Sequence, residues 1–94
     1  MYLVDIRINK TINNEELQNH RAWFNKHFQS KDFLIVGPSK TFERAGIIIA
    51  KDMPREQLEQ IIAEDIFYSN GGEYSINQFT ARLVNSDINK EWLK

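Results

Sequence analysis

His20 and Asp65 are the two side chains of this sequence whose types and positions most favour chemistry. His20 stands one helical turn from both Leu17 and Phe24. Asp65 takes the next place in a second apolar stripe, formed by Leu58, Ile61 and Ile62. Burying an unpaired carboxylate costs several kcal/mol, so an aspartate on such a stripe needs a partner. If both helices cover one face of a sheet, His20 is the nearest candidate, and the pair predicts general acid–base chemistry near neutral pH.

The same two side chains also allow a structural interpretation. His20 could be a helix-flank histidine that bonds only to backbone or water. Asp65 could turn its carboxylate to solvent or cap the segment that follows, although the helix dipole disfavours a negative charge at a helix C-terminus. Both interpretations stay open from the residues alone.

A metal site and a cofactor are not predicted. His27 follows His20 by two helical turns, but the sequence has no HExxH motif and no third ligand at a suitable spacing. The chain has no cysteine, which excludes disulfides, zinc ribbons and thiol nucleophiles.

Five further residues are candidate substrate-binding positions. Gly37 and Pro38 end a strand and form either a simple turn or a wall whose backbone approaches a ligand. Ser39 could donate a hydrogen bond there, but it has no paired base. Phe67 and Tyr74 could line an aromatic pocket or belong to the core.

The first helix is predicted to bury an apolar stripe of Leu17, Phe24 and Phe28. Trp23 sits off this stripe, so we expect it to be exposed or to lie at a subunit contact. Arg21 points elsewhere on the same helix and is expected to be a surface or interface cation.

Composition predicts one small domain that binds neither nucleic acid nor membranes. The chain has 94 residues, which leaves no room for a second domain. Its net charge is −1 with both signs interspersed, so there is no basic footprint. The sequence also shows no basic leader segment, and its longest apolar stretch is far shorter than the ~20 residues of a membrane span. We therefore expect a cytoplasmic protein.

Periodicity predicts an α+β domain of four strands and two helices in the order βαββαβ. The expected strands cover residues 1–9, 32–37, 45–50 and 73–84, and the expected helices cover 14–29 and 52–65. A short C-terminal helical tail is expected over 86–93, so the core covers about 1–84 of a single domain, 1–94.

This order matches the ferredoxin-like fold, in which two helices cover one face of a four-stranded antiparallel sheet. The second and third strands are apolar on both faces, so the bare face should also be covered. A second copy of the chain is the simplest cover, which predicts an isologous homodimer. The third strand carries no aromatic side chain over which bases could stack, which argues against an RNA-binding domain.

Several short motifs in the same order resemble the YciI-like family of small dimeric α+β barrel proteins. They are His20-Arg21-Ala22, Gly37-Pro38, Gly46-Ile47-Ile48-Ile49-Ala50, Glu64-Asp65-Ile66-Phe67, Gly71, and Glu73-Tyr74. The resemblance implies a ferredoxin-like dimer with an active site built on His20 and Asp65. The sequence departs from the family pattern at Ile66, where a proline is common.

The resemblance leaves the substrate open. Related folds handle small aromatic or lactone-like molecules by proton transfer, which is an analogy from the fold. We therefore expect a cofactor-independent enzyme that acts on a small organic molecule. The alternative is a non-catalytic dimeric ligand-binding or interaction module in which His20 and Asp65 form a structural pair.

Overall fold

The computed structural model describes residues 1–88 and confirms the predicted fold class and element order. Four antiparallel strands form one sheet with two helices, a ferredoxin-like α+β arrangement. The elements are β1 (Tyr2–Ile8), α1 (Asn14–Gln29), β2 (Phe33–Pro38), β3 (Ala45–Ala50), α2 (Arg55–Ala63) and β4 (Gly72–Gln78). Most of the expected tail helix, from residue 89 on, lies outside the described residues.

The strand order β2-β3-β1-β4 places β1 and β3 at the centre of the sheet. Each βαβ unit therefore spans the strand that lies between its own two strands. Val4 pairs with Ile48 on β3 and with Ile76 on β4. The inward side chains of β1 are buried beneath both helices in one apolar core, which also contains Leu58 from α2.

A capping box fixes the start of α1. The Asn13 side chain accepts a hydrogen bond from the Glu16 backbone N–H, and the Glu16 carboxylate accepts one from the Asn13 backbone. These bonds satisfy two donors that a helix N-terminus leaves unpaired. Lys10 and Asn70 also donate to Glu16, so the cap joins α1 to the loop before β4.

The buried face of α1 is not the one predicted. Trp23 is only 5% exposed and His27 is also buried, whereas Phe28 is 47% exposed. The expectation that Trp23 is exposed or lies at a subunit contact is therefore wrong. Its indole N–H donates to the Ile61 carbonyl at 2.8 Å and joins α1 to α2. The apolar stripe of Leu17, Phe24 and Phe28 lines a cleft instead. Apolar spacing marks a face turned away from water, but it does not distinguish a packed face from a cleft wall.

Two predicted elements extend too far. β4 ends at Gln78 and not near Val84: its last register pair is Gln78 with Tyr2, and beyond it only Phe79 bonds to the backbone of Met1. α2 begins at Arg55 and ends at Ala63, with Pro54 and Glu64 as its caps, so it is shorter than predicted at both ends and Asp65 lies in the turn that follows the helix.

The outer face of the sheet carries an apolar strip. Leu3, Ile49 and Ile35 are consecutive register partners across β1, β3 and β2, and each remains partly exposed. Ile47 on the same face is 42% exposed. Asp5 and Arg7 border the strip on β1, with 3.9 Å between the Arg7 Nε and an Asp5 carboxylate oxygen.

Candidate acid–base site

The structure brings His20 and Asp65 into direct contact. The His20 Nδ1 lies 2.8 Å from the Asp65 Oδ1. The Asp65 side chain has no solvent exposure, whereas the His20 side chain is 18% exposed. An ionised carboxylate only accepts hydrogen bonds, so Nδ1 is the donor. The neutral imidazole then carries its lone pair on Nε2.

A tight turn after α2 positions the Asp65 carboxylate. Its backbone N–H donates to the Ile62 carbonyl, and its own carbonyl accepts from Tyr68. Phe67 anchors the turn, because its side chain is fully buried and its carbonyl accepts from both Asn70 and Gly72. Ile66 in this turn is exposed, and the turn closes with isoleucine at that position.

Tyr74 is the second partner of Asp65. Its hydroxyl donates to the Asp65 Oδ2 at 2.6 Å, so a donor occupies each carboxylate oxygen. Burial raises the pKa of Tyr74 far above the usual value for tyrosine, and the nearby Asp65 carboxylate raises it further. The phenol therefore stays neutral and remains a donor at physiological pH.

Aromatic side chains hold the His20 ring in place. The Trp23 indole stacks on it with 5.6 Å between centroids, and Phe24 and Phe67 contact it edge-on at 5.5 and 5.3 Å. These contacts leave the ring little freedom to rotate away from Asp65. An imidazole that is already fixed loses less conformational entropy than a mobile one when a substrate binds in a reactive position.

The second ring nitrogen of His20 faces accessible space. Among residues 1–88, Nε2 makes no hydrogen bond, and no buried side-chain nitrogen or oxygen lacks a partner. Nε2 is therefore open to solvent. His20 also lines a cleft of about 520 Å³ between α1 and the β2–β3 half of the sheet. This volume lies within the range of small-molecule sites.

The other candidate residues divide into two groups. Gly37 and Pro38 line the cleft. Ser39 does not, and its hydroxyl oxygen accepts hydrogen bonds from the backbone of Thr41 and Phe42. Phe67 supports the His20 ring from the core, and Tyr74 contacts Asp65. The substrate-binding role of these five residues stays a prediction.

His27 also lies on α1, but it pairs with carboxylates other than Asp65. Its Nε2 lies 3.1 Å from a Glu64 carboxylate oxygen, and its Nδ1 lies 3.7 Å from Asp32. The pKa of Glu64 is lowered because Lys26 donates to it and His27 lies beside it. His27 does not line the cleft. Within residues 1–88, no three His, Asp or Glu side chains are grouped as a metal site would require.

Two arginines line the cleft, although the sequence does not predict them there. Arg21 is exposed, as the sequence predicts for a surface cation, and it also lines the cleft, whereas the sequence predicts no role for Arg44. Because Arg21 directly follows His20 in the sequence, its position near His20 could have been predicted. Arg44 directly precedes β3, in which Gly46 and Ile47 pair with Pro38 and Gly37. Only the register of β2 and β3 brings Arg44 to the cleft.

A scan against models of protein families finds no match to this chain, and a search of curated proteins finds none either. The resemblance to YciI-like proteins therefore stays a prediction that depends on the motifs themselves. In the described part of the chain, neither helix is long and apolar enough to cross a membrane.

Proposed function

We propose that this chain is a cofactor-independent enzyme that moves a proton on a small organic molecule, in the manner implied by its resemblance to YciI-like proteins. One observation carries the proposal. His20 is bonded through Nδ1 to a fully buried carboxylate, and its Nε2 is left open at a cleft of ligand size. A histidine with this arrangement is poised to act as a general base and then as a general acid.

His20 would exchange the proton and Asp65 would position His20. Nε2 takes a proton from a substrate carbon or oxygen, and the electron pair stays on the substrate. The Asp65 carboxylate then stabilises the imidazolium through Nδ1–H. Nε2 returns the proton to another atom of the substrate, so that its composition is unchanged. Tyr74 keeps Asp65 oriented throughout, since its hydroxyl holds the second carboxylate oxygen.

We also propose that the protein acts as a cytoplasmic homodimer. The outer strip of Leu3, Ile35 and Ile49 is apolar, and a second copy would remove it from water. Asp5 and Arg7 border this strip with opposite charges. An isologous pairing can place Asp5 of one protomer near Arg7 of its partner, so the face is complementary to itself. A chain without cysteine has no need of an oxidising compartment.

The alternative function is a ligand-binding or interaction module. The observation that favours it is the complete burial of Asp65 between His20 on α1 and Tyr74 on β4. Such a carboxylate could simply tie the two elements together. The two functions differ in what His20 contributes, which is turnover in one case and only stability in the other.

Exchange of solvent deuterium tests the proposal without a known substrate. The protein is incubated in D₂O with a panel of small lactones, enols and aryl ketones, and deuterium incorporation is followed by NMR. We expect exchange into at least one compound and a loss of about 10²- to 10⁴-fold in His20→Gln. His27→Gln is the matched control, because His27 also pairs with a carboxylate but lies outside the cleft.

Two results would contradict the enzyme and favour the module. One is undiminished exchange in His20→Gln. The other is no exchange by the native protein together with a stability loss of about 1–3 kcal/mol in His20→Gln, as expected when a buried hydrogen bond is broken.

A further inference from the structure

The cleft beside His20 combines an apolar wall with positive charge. Its polar lining residues are His20, Arg21, Asn25 and Arg44, and all its other lining residues are apolar or glycine. Within residues 1–88, no aspartate or glutamate lines it. Asp65 lies behind the His20 ring, where it has no solvent exposure. The cleft therefore presents two guanidinium groups that no carboxylate of its wall neutralises.

Arg44 is held in place by its backbone and by one side-chain bond. Its carbonyl accepts from the Ile8 N–H at 2.8 Å, and its Nε donates to the Ile8 carbonyl at 3.3 Å. Its φ of +49° lies in the left-handed region, which is uncommon for a residue other than glycine. These constraints fix the guanidinium at the cleft.

The terminal nitrogens of Arg44 remain available to a ligand. Nη1 lies 3.6 Å from Glu43, but both side chains are well exposed to solvent, so this ion pair is weak. Among residues 1–88, Nη2 makes no hydrogen bond with another side chain or carbonyl.

Arg21 supplies the second charge. It directly follows His20 on α1 and is exposed, and within residues 1–88 it forms no ion pair. Its neighbours in the cleft wall one turn along the helix are Phe24 and Asn25. A ligand that contacts the His20 ring therefore lies between an apolar surface and two cationic groups.

We propose that the substrate is a small carboxylate with an apolar, ring-sized body, its carboxylate bound by Arg21 and Arg44. This inference rests on the proposed function, because it names the substrate class of the same site. The planar guanidinium matches the two oxygens of a carboxylate and remains charged at all physiological pH values. The apolar body packs on Phe24 and Phe28, the two aromatic side chains of α1 that line the cleft.

A phosphate ester fits the site less well than a carboxylate. Phosphate sites commonly use the free N–H groups of a helix N-terminus. The N-terminus of α1 is already capped by Asn13, and Glu15 and Glu16 place negative charge in its first turn. The cleft offers the guanidinium groups of Arg21 and Arg44 in place of free backbone N–H groups.

Matched acid and amide pairs test the inference by binding alone. The probes are phenylacetate, 3-phenylpropionate and cyclohexanecarboxylate, each compared with its neutral primary amide. Binding is measured from chemical-shift changes in ¹H–¹⁵N spectra of the native protein. We expect at least one acid to perturb the cleft residues and to bind about tenfold or more tightly than its amide. Added salt should weaken binding of the acid and leave binding of the amide unchanged.

Substitution of the two arginines then shows whether their side chains cause the preference for acid over amide. Arg21→Gln and Arg44→Gln should each reduce the preference for acid over amide, and the double variant should abolish it. Arg55→Gln is the control, because Arg55 is exposed on α2, pairs with Glu59 and does not line the cleft. This preference is measured by binding without turnover, so a failure of the catalytic proposal is distinguishable from a failure of this one.

Three results would overturn the inference. They are equal binding of acids and amides, no binding by any acid, or an unchanged preference in the double arginine variant that still folds.

Discussion

At the scale of residues, Asp65 is the centre of the site because it accepts from two donors at once. His20 occupies one carboxylate oxygen at 2.8 Å and Tyr74 the other at 2.6 Å. A fully buried carboxylate is tolerated when its lone pairs are satisfied in this way. The arrangement fixes the tautomer of His20 and leaves Nε2 without a hydrogen-bond partner among residues 1–88.

Tyr74 leads to a prediction about stability in alkali. An unfolded tyrosine loses its proton near pH 10, but the folded chain retains the proton on Tyr74 to higher pH. The unfolded state then binds fewer protons than the folded state, so the free energy of unfolding falls as pH rises above about 10. The maximum slope from this residue is about 1.4 kcal/mol per pH unit.

Chemical unfolding of the native protein and Tyr74→Phe between pH 9 and 11 measures this slope. Tyr74→Phe should lose stability less steeply, and Tyr68→Phe should keep most of the native slope, because Tyr68 is exposed and is the smallest contributor to the raised pKa of Tyr74. Parallel slopes for native and Tyr74→Phe would contradict the assignment.

Residue patterns in the sequence identified His20 and Asp65, and the structure brings these two side chains together. They could be identified because in the sequence each lies on or beside an apolar stripe, where a polar side chain needs a partner. The contact of Tyr74 with Asp65 was not predicted, since it depends on how the turn after α2 enters β4. Arg44 was missed because only the strand register brings it to the cleft.

At the scale of elements, the turn from α2 to β4 determines where Asp65 and Tyr74 meet. Gly72 begins β4 at a point of close approach to the turn. A Cβ atom there would lie 2.6 Å from the Phe67 carbonyl oxygen and 2.7 Å from the Tyr74 hydroxyl. The first of these contacts involves backbone and cannot be relieved by a side-chain rotation.

Gly72→Ala should therefore destabilise the protein by about 1–3 kcal/mol, as overpacking does elsewhere. Gly37→Ala is the matched control, because a Cβ at Gly37 meets no atom within 4 Å. Urea unfolding compares the two variants. Equal stabilities for Gly72→Ala and Gly37→Ala would show that the turn is more adaptable than its geometry indicates.

The elements themselves were largely predictable from periodicity and capping signals. α1 and β3 match their predicted ranges, since Asn13 marks the helix start and Gly37-Pro38 marks the preceding strand's end. β4 was predicted to be too long, because apolar residues continue in the sequence past Gln78, the last residue that pairs with β1. The buried face of α1 was misjudged because the cleft wall is also apolar.

At the scale of the whole molecule, the two faces of the sheet serve different purposes. One face packs on both helices and builds the site, whereas the other displays the strip of Leu3, Ile35 and Ile49. A small domain buries a modest share of its surface, so covering this strip would contribute to stability.

Charge at the centre of the strip should separate the proposed dimer. Ile49→Glu places a carboxylate between Leu3 and Ile35, and we expect it to convert dimer to monomer in analytical ultracentrifugation. Gln60→Glu is the control, because it adds the same charge on an exposed position of α2. A native protein that sediments as a monomer at high concentration would contradict the dimer.

The tautomer of His20 tests the central claim most directly. In a ¹⁵N-labelled protein, the chemical shifts of the two ring nitrogens report which one carries the proton in the neutral imidazole. We predict a protonated Nδ1 and an unprotonated Nε2 in the native chain, and a shift toward the other tautomer in Asp65→Leu, which removes the acceptor. A native His20 protonated on Nε2 would contradict the pairing with Asp65 and with it the proposed acid–base site.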